Sequence, residues 1–212
     1  MVKIVVGSFD SIAQAAGAAR ALRASGFLEN DVSVVANNAQ RPVGRDRDAN
    51  REQALTEDET SGAATGIVAG GALGGVAGLA ASLMGLAIPG IGPILAAGPV
   101  AAALAGAGAG AVAGGLIGGL TDLGVSDTHA EYYAEAVRRG GALVTVKVDP
   151  SRVAEAEQII KDHDAFDIEE RASQWMAAGW VGYNPNGEAY TFEEIERDRT
   201  QWRGAQGPRR QS

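Results

Sequence analysis

Residues 87–93 read AIPGIGP. Two prolines and two glycines in seven residues mark a chain reversal, and its flanks say what is being reversed. Upstream, glycine recurs at Gly62, Gly66, Gly70, Gly74 and Gly78, with Ser82 continuing the row. Downstream, the row is Gly98, Ala102, Gly106, Gly110, Gly114 and Gly118. Residues four apart stand nearly one above another on a helix, so each row is a groove without side chains. The spacing predicts two helices, over about 62–86 and 98–120, joined by a turn at Pro89, Gly90, Gly92 and Pro93.

The two runs hold eight glycines each. At about 0.8–1.0 kcal/mol per glycine against alanine, they forfeit on the order of 13–16 kcal/mol of helix propensity. Close backbone approach across small residues is the compensation expected, as in membrane helix pairs. The reading is therefore a glycine-zipper hairpin that self-associates through Gly62, Gly66, Gly70, Gly74, Gly78, Gly98, Gly106, Gly110, Gly114 and Gly118. A helix of 25 residues is roughly 37 Å long, more than the ~30 Å of a hydrocarbon core. No Asp, Glu, Lys, Arg or His occurs from 60 to 121. Insertion into a lipid bilayer is the expectation, with burial inside a closed assembly of copies as the alternative. Against insertion stand the apolar turn, the absence of Trp or Tyr at either end and the modest hydrophobicity of Ala and Gly.

Around this segment the chain changes character. Residues 2–8 alternate as a strand. SIAQAAGAARALRAS (11–25) reads as a helix capped by Asp10 or Ser11 and stopped by Gly26. VSVVA (32–36) is a second strand, and 37–60 is a polar linker of mixed charge containing Arg41, Arg45, Arg47 and Arg51. Further on come a helix capped by Ser126 or Thr128 and ended by Gly140, a strand at 142–148 and a helix opened by Asp149-Pro150. FDIEER (166–171) is read as a fourth strand. The order βαβ, then αβαβ, predicts an α+β fold of the ferredoxin-like, split βαβ kind. Its halves are 1–36 and 123–171, with 37–60 as linker, 61–122 as the inserted Gly/Ala-rich helical hairpin and 172–212 as a C-terminal tail. The tail carries Trp175, Trp180 and Trp202 and a short helix boxed by Thr191 and Glu194. Three tryptophans need cover, either on the bare sheet face or on a neighbouring subunit.

Composition excludes several chemistries. The 212 residues carry a net charge of −8 and no cysteine. Nucleic-acid binding lacks its basic face, and disulfides, thiolate metal sites and cysteine nucleophiles are ruled out. MVKIVVGSFD has no basic region followed by an apolar core, so a secreted product is not expected. The cytoplasm or the cytoplasmic face of the inner membrane is. The letters GxGxxA at 108–113 lie inside a helical run rather than after a strand, and are not a dinucleotide fingerprint. His129, near Asp127, Glu131, Tyr132 and Tyr133, sits at a helix start, and His163 at a helix end; both have ordinary dipole and capping roles there. Glu57, Asp58, Glu59, Glu169 and Glu170 read as solvated charges. No catalytic residue, metal site or cofactor is expected.

Two blocks also resemble a known family. MVKIVVGSFDSIAQAAGAARALRASGF and the run from GLAIPGIGP through EYYAEAVRRGGALVTVKV are similar to the bacterial heat-induced, general stress (YflT-like) proteins, over about residues 1–170. The resemblance implies a stress-response setting and supplies no enzymatic activity. The expected function is a non-enzymatic scaffold that assembles with itself through the hairpin, on or in a membrane. The alternatives are a soluble homo-oligomer with the hairpin inside, or a small-ligand or regulatory binding module on the sheet.

Overall fold

The computed structural model describes residues 2–39, 84–88, 91–106, 115–184 and 186–206. In chain order these form β1 (Lys3–Phe9), α1 (Ile12–Ala24), β2 (Val32–Asn37), β3 (Met84–Ile88), β4 (Gly92–Ala97), α2 (Pro99–Gly106) and α3 (Gly115–Asp122). Then follow α4 (Asp127–Arg138), β5 (Ala142–Val148), α5 (Val153–Asp162), α6 (Ile168–Ala177) and α7 (Phe192–Gln206). The result is a mixed α+β unit on one antiparallel sheet, in the order β1-β5-β2-β4-β3.

Local chemistry accounts for most of these elements. Ser11 caps α1 by accepting the Gln14 N–H, and Gly26 at φ 85° ends it. Ser126 caps α4 through the His129 N–H, and Gly140 at φ 89° follows it. Thr191 and Glu194 close a reciprocal capping box before α7: the Thr191 N–H donates to Glu194 Oε2 at 2.8 Å, and the Glu194 N–H donates to Thr191 Oγ1 at 3.3 Å.

The sheet is covered on both faces. On one, Val5, Phe9, Val34 and Val144 pack under Ala15, Ala19 and Leu22 of α1 and Ala156 and Ile160 of α5. On the other, Val35, Ile94, Ala96 and Leu143 pack with Val100 of α2, Leu116 and Leu120 of α3, Ala134 and Val137 of α4, and Ile168 and Trp175 of α6.

Three expectations need correction. The reversal at 87–93 joins two strands, not two helices: β3 and β4 pair antiparallel, Leu86 opposite Ile94 and Ile88 opposite Gly92. Gly92 and Pro93 lie within β4. Pro93 has no N–H to offer a ladder, and it sits just outside the β2–β4 pairing, which begins at Ile94 opposite Asn37. Ile91, Ile94 and Ala96 are fully buried in the core.

The second correction concerns the membrane. Among the described residues no helix is long and apolar enough to cross one. The run at 98–120 contains α2 and α3, eight residues each, and eight helical residues extend only about 12 Å. Gly98, at φ 84°, is a turn residue and not a zipper position; a Cβ there would stand 2.8 Å from Ser33 Cα. Its bare backbone lets α2 start beside β2, where the Val100 N–H donates to Ser33 Oγ at 3.1 Å. Gly106 is the last residue of α2, and Gly118 of α3 has open space where a Cβ would be. Membrane association through this hairpin is therefore withdrawn. Gly62, Gly66, Gly70, Gly74, Gly78, Gly110, Gly114, Pro89 and Gly90 lie outside the described residues, as do the linker arginines and the 108–113 motif.

Third, 166–171 is not a strand. Phe166 makes a single antiparallel bridge to Ser8, and α6 begins at Ile168. Asp167 caps that helix, accepting the Glu169 and Glu170 N–H groups at 2.8 and 3.0 Å. Ile168, Arg171, Ala172 and Trp175 then fall on one buried helical face.

Candidate functional site

Beyond the bridge at Ser8, no strand pairs with the outer edge of β1 among the described residues. The Phe166 N–H donates to the Ser8 carbonyl at 2.9 Å, on the side away from β5. Backbone groups alternate sides along a strand. Phe9, Gly7, Val5 and Lys3 therefore face β5, while Ser8, Val6, Ile4 and Val2 face outward. None of the described residues hydrogen-bonds the outward groups of Ile4 and Val6. Lys3 is the one charged residue in the strand. Natural edges are commonly blunted by charged side chains, a proline or a bulge; here exposed Lys3 is the one such feature of the strand.

Each face of that edge opens into a groove. On the α5 side it measures about 570 Å³ and is lined by Lys3, Val5, Gly7, Val153, Glu157, Ile160, Lys161 and Asp167. On the α4 side a groove of about 490 Å³ runs past Val2, Ile4, Val6, Gly124, His129 and Tyr133. It is continued by one of about 270 Å³ at Ser8, Phe166 and Glu169. Ser8 Oγ is buried there, with no hydrogen-bond partner among the described residues.

The α4-side groove holds the arrangement nearest to chemistry. His129 Nδ1 lies 2.7 Å from Ser126 Oγ, and His129 Nε2 lies 3.0 Å from Glu169 Oε1. The contacts suggest a serine–histidine–carboxylate relay, but Ser126 Oγ is the N-cap of α4 and already accepts the His129 N–H. The imidazole–carboxylate pair is solvent-exposed, with Glu169 71% accessible. An exposed pair has little electrostatic leverage, and capping explains the geometry. Beside it, Tyr133 is 9% exposed. Burial, then the charges of Asp167 and Glu169, push its phenol up to about 12.

The sign for stability follows. A phenol that resists ionisation in the folded state adds stability that is complete below its unfolded value near 10 and is lost as pH rises through 12. We expect one of the four tyrosines to titrate near pH 12 by ultraviolet difference absorbance, with unfolding becoming easier across that window. Tyr133→Phe removes that phase. Titration of every phenol near its ordinary value excludes this environment.

A second cluster ties the tail to the sheet. Glu135 is fully buried and meets Arg139 Nε at 2.7 Å and Arg138 Nη1 at 3.3 Å. Arg139 continues to Asp198 at 2.7 Å. Arg171 pairs with Asp10 at 2.9 Å, its guanidinium 3.5 Å over the Trp202 ring and 3.9 Å over that of Phe166. Arg199 donates to the Asp10 and Gly140 carbonyls. Burial works against the charge on Arg139, but Glu135 and Asp198 outweigh it and hold its pKa above the ordinary value; at Arg171 burial dominates and lowers it. The space these groups enclose is about 10 Å³, too small for a ligand. This lattice is structural.

Of the aromatic residues expected to seek cover, Trp175 and Trp202 are buried within the chain. Trp175 meets Trp180 edge-on at 6.0 Å, and Trp180 meets Tyr132 at 5.8 Å. Their cover is intramolecular, and no neighbouring subunit is needed for it. His163 accepts its expected place at the end of α5, with Nδ1 2.8 Å from the Ile159 carbonyl. Among the described residues no group of three or more His, Asp or Glu could hold a metal ion.

No family model, curated protein or solved structure matches the chain. The likeness to general stress proteins gains no relative to rest on, and the stress-response reading is withdrawn.

Proposed function

We propose that this chain is a non-enzymatic interaction module that takes an extended segment onto the open edge of β1. The underlying sheet is read as ferredoxin-like. β1, β5 and β2 lie in the order of three strands of a split βαβ unit, with α1 and α5 on one face. The fourth strand of that plan is reduced to the Ser8–Phe166 bridge. The β3–β4 hairpin extends the sheet at its other end.

One observation carries the reading: the outward backbone donors and acceptors of Ile4 and Val6 lie between two grooves and have no partner among the described residues. Main-chain hydrogen bonds supply affinity in strand addition, and grooves for alternate side chains supply selectivity. The test is hydrogen exchange on the full chain with a short synthetic peptide of alternating valine and threonine, lysine-ended for solubility. Exchange at the Ile4 and Val6 amides is expected to slow by at least about tenfold, while those of Val5 and Gly7, already bonded to β5, change little. Unaltered exchange at Ile4 and Val6 at saturating peptide rejects the reading.

A further inference from the structure

We infer that the occupant of the β1 edge is a second copy of this chain, the two β1 strands pairing antiparallel about a two-fold axis at Ile4. The inference rests on the strand-addition reading above and names its partner. The open segment runs from Val2 to Val6; beyond it Phe166 already occupies the outer side of Ser8. A two-fold axis at Ile4 sets Ile4 opposite its own copy and Val2 opposite Val6 of the other. Every outward backbone group of the segment then has a partner, and the Ser8–Phe166 bridge stays intact. It also covers Val2, which is 70% exposed.

Charge favours a copy over an arbitrary strand. In this register Lys3 of the second copy stands opposite Val5. Directly opposed side chains point to the same face, and Val5 faces the groove lined by Val153, Glu157, Ile160 and Lys161. Ile160 packs at Gly7, which places Glu157, about one helical turn back, near the level of Val5. Each Lys3 thus enters the other copy's groove beside Glu157, and the symmetry makes this contact twice. The alternative axis at Lys3 would set the two lysines opposite one another, which is unfavourable. A five-residue edge with its groove walls lies at the low end of interface sizes, so the pairing is expected to be weak and concentration-dependent.

Sedimentation of the full chain over a range of concentrations, with hydrogen exchange on the same samples, tests this. A reversible dimer is expected, with Ile4 and Val6 amides protected only where dimer forms. Ile4→Pro removes an outward N–H and leaves the β5 ladder whole; it is expected to weaken dimerisation roughly a hundredfold. Lys3→Glu and Glu157→Lys are each expected to weaken it up to about tenfold, through two symmetric exposed pairs. The double reversal restores the parent affinity. A monomer at all concentrations whose Ile4 and Val6 amides are protected by the peptide overturns the second copy and keeps the edge reading. Protection independent of concentration assigns the edge to the chain's own segment and overturns the proposal likewise. A dimer indifferent to all three substitutions overturns it, and amides that exchange freely under every condition overturn both readings.

Discussion

Glu135→Ala is expected to lower the free energy of unfolding by about 3–5 kcal/mol, the cost of breaking a buried ion pair and leaving its partner without a counter-charge. The Glu135 side chain has no exposure, and those of Arg138 and Arg139 are 15% and 13% exposed. Arg139 keeps Asp198; among the described residues Arg138 keeps the Glu188 carbonyl, to which its Nη2 donates at 2.8 Å, the face of Tyr190 at 4.6 Å and the more distant charge of Glu194. In a domain of this size the loss corresponds to a melting point lower by roughly 10 °C. Glu135→Gln retains hydrogen-bonding capacity and should lose less. Thermal and urea unfolding measure both. A change under about 1 kcal/mol would show that water, not Glu135, satisfies the two guanidiniums, and would remove the argument that this lattice anchors the tail.

Trp175→Ala is the second large effect, again about 3–5 kcal/mol. The indole is 5% exposed. It packs in the core formed with Ile168 and Ala172, carries the Arg139 guanidinium 5.0 Å above its ring and meets Trp180 edge-on. Its removal opens a cavity where α6 crosses the sheet and also frees Trp180, whose fluorescence should shift to the red. Because the cover is intramolecular, the size of the loss should not depend on protein concentration. A loss seen only at concentrations where copies associate would return Trp175 to an interface between subunits.

How much of this is legible in the residues varies by element. Caps and stops are local and legible. Ser11 and Gly26 bracket α1, Thr191 and Glu194 open α7, and Asp149 with Pro150 opens the short turn before α5, because each makes hydrogen bonds within four residues. FDIEER is ambiguous. Its first four residues alternate as in a strand, yet Asp167 with Glu169 and Glu170 in the first turn is also a helix start, and the buried period through Trp175 decides for the helix. AIPGIGP is recognisable as a reversal, but the four-residue glycine spacing of its flanks reads as helix, whereas Met84–Ile88 and Gly92–Ala97 pair as strands. The Glu135–Arg138–Arg139 spacing is legible as helical i,i+3 and i,i+4 pairs; its burial depends on Asp198, some sixty positions later. His129 meets Glu169 across forty positions, and no local signal announces that contact. The open edge of β1 is equally silent, being defined by a strand that does not form.

By itself the chain settled the caps of α1, α4 and α7, which runs are strands around Val5, Val34 and Val144, and that cysteine and strongly basic chemistry are excluded. Those properties reside in covalent structure or in hydrogen bonds between near neighbours. Only the tertiary structure decided that the reversal at 87–93 joins two strands rather than two helices, that Gly98 turns the chain against Ser33, and that β1 has no outer partner among the described residues beyond the bridge at Ser8. Backbone pairing with β2 and burial of Ile91, Ile94 and Ala96 are long-range terms. Where alanine and glycine leave local preference weak, such terms prevail.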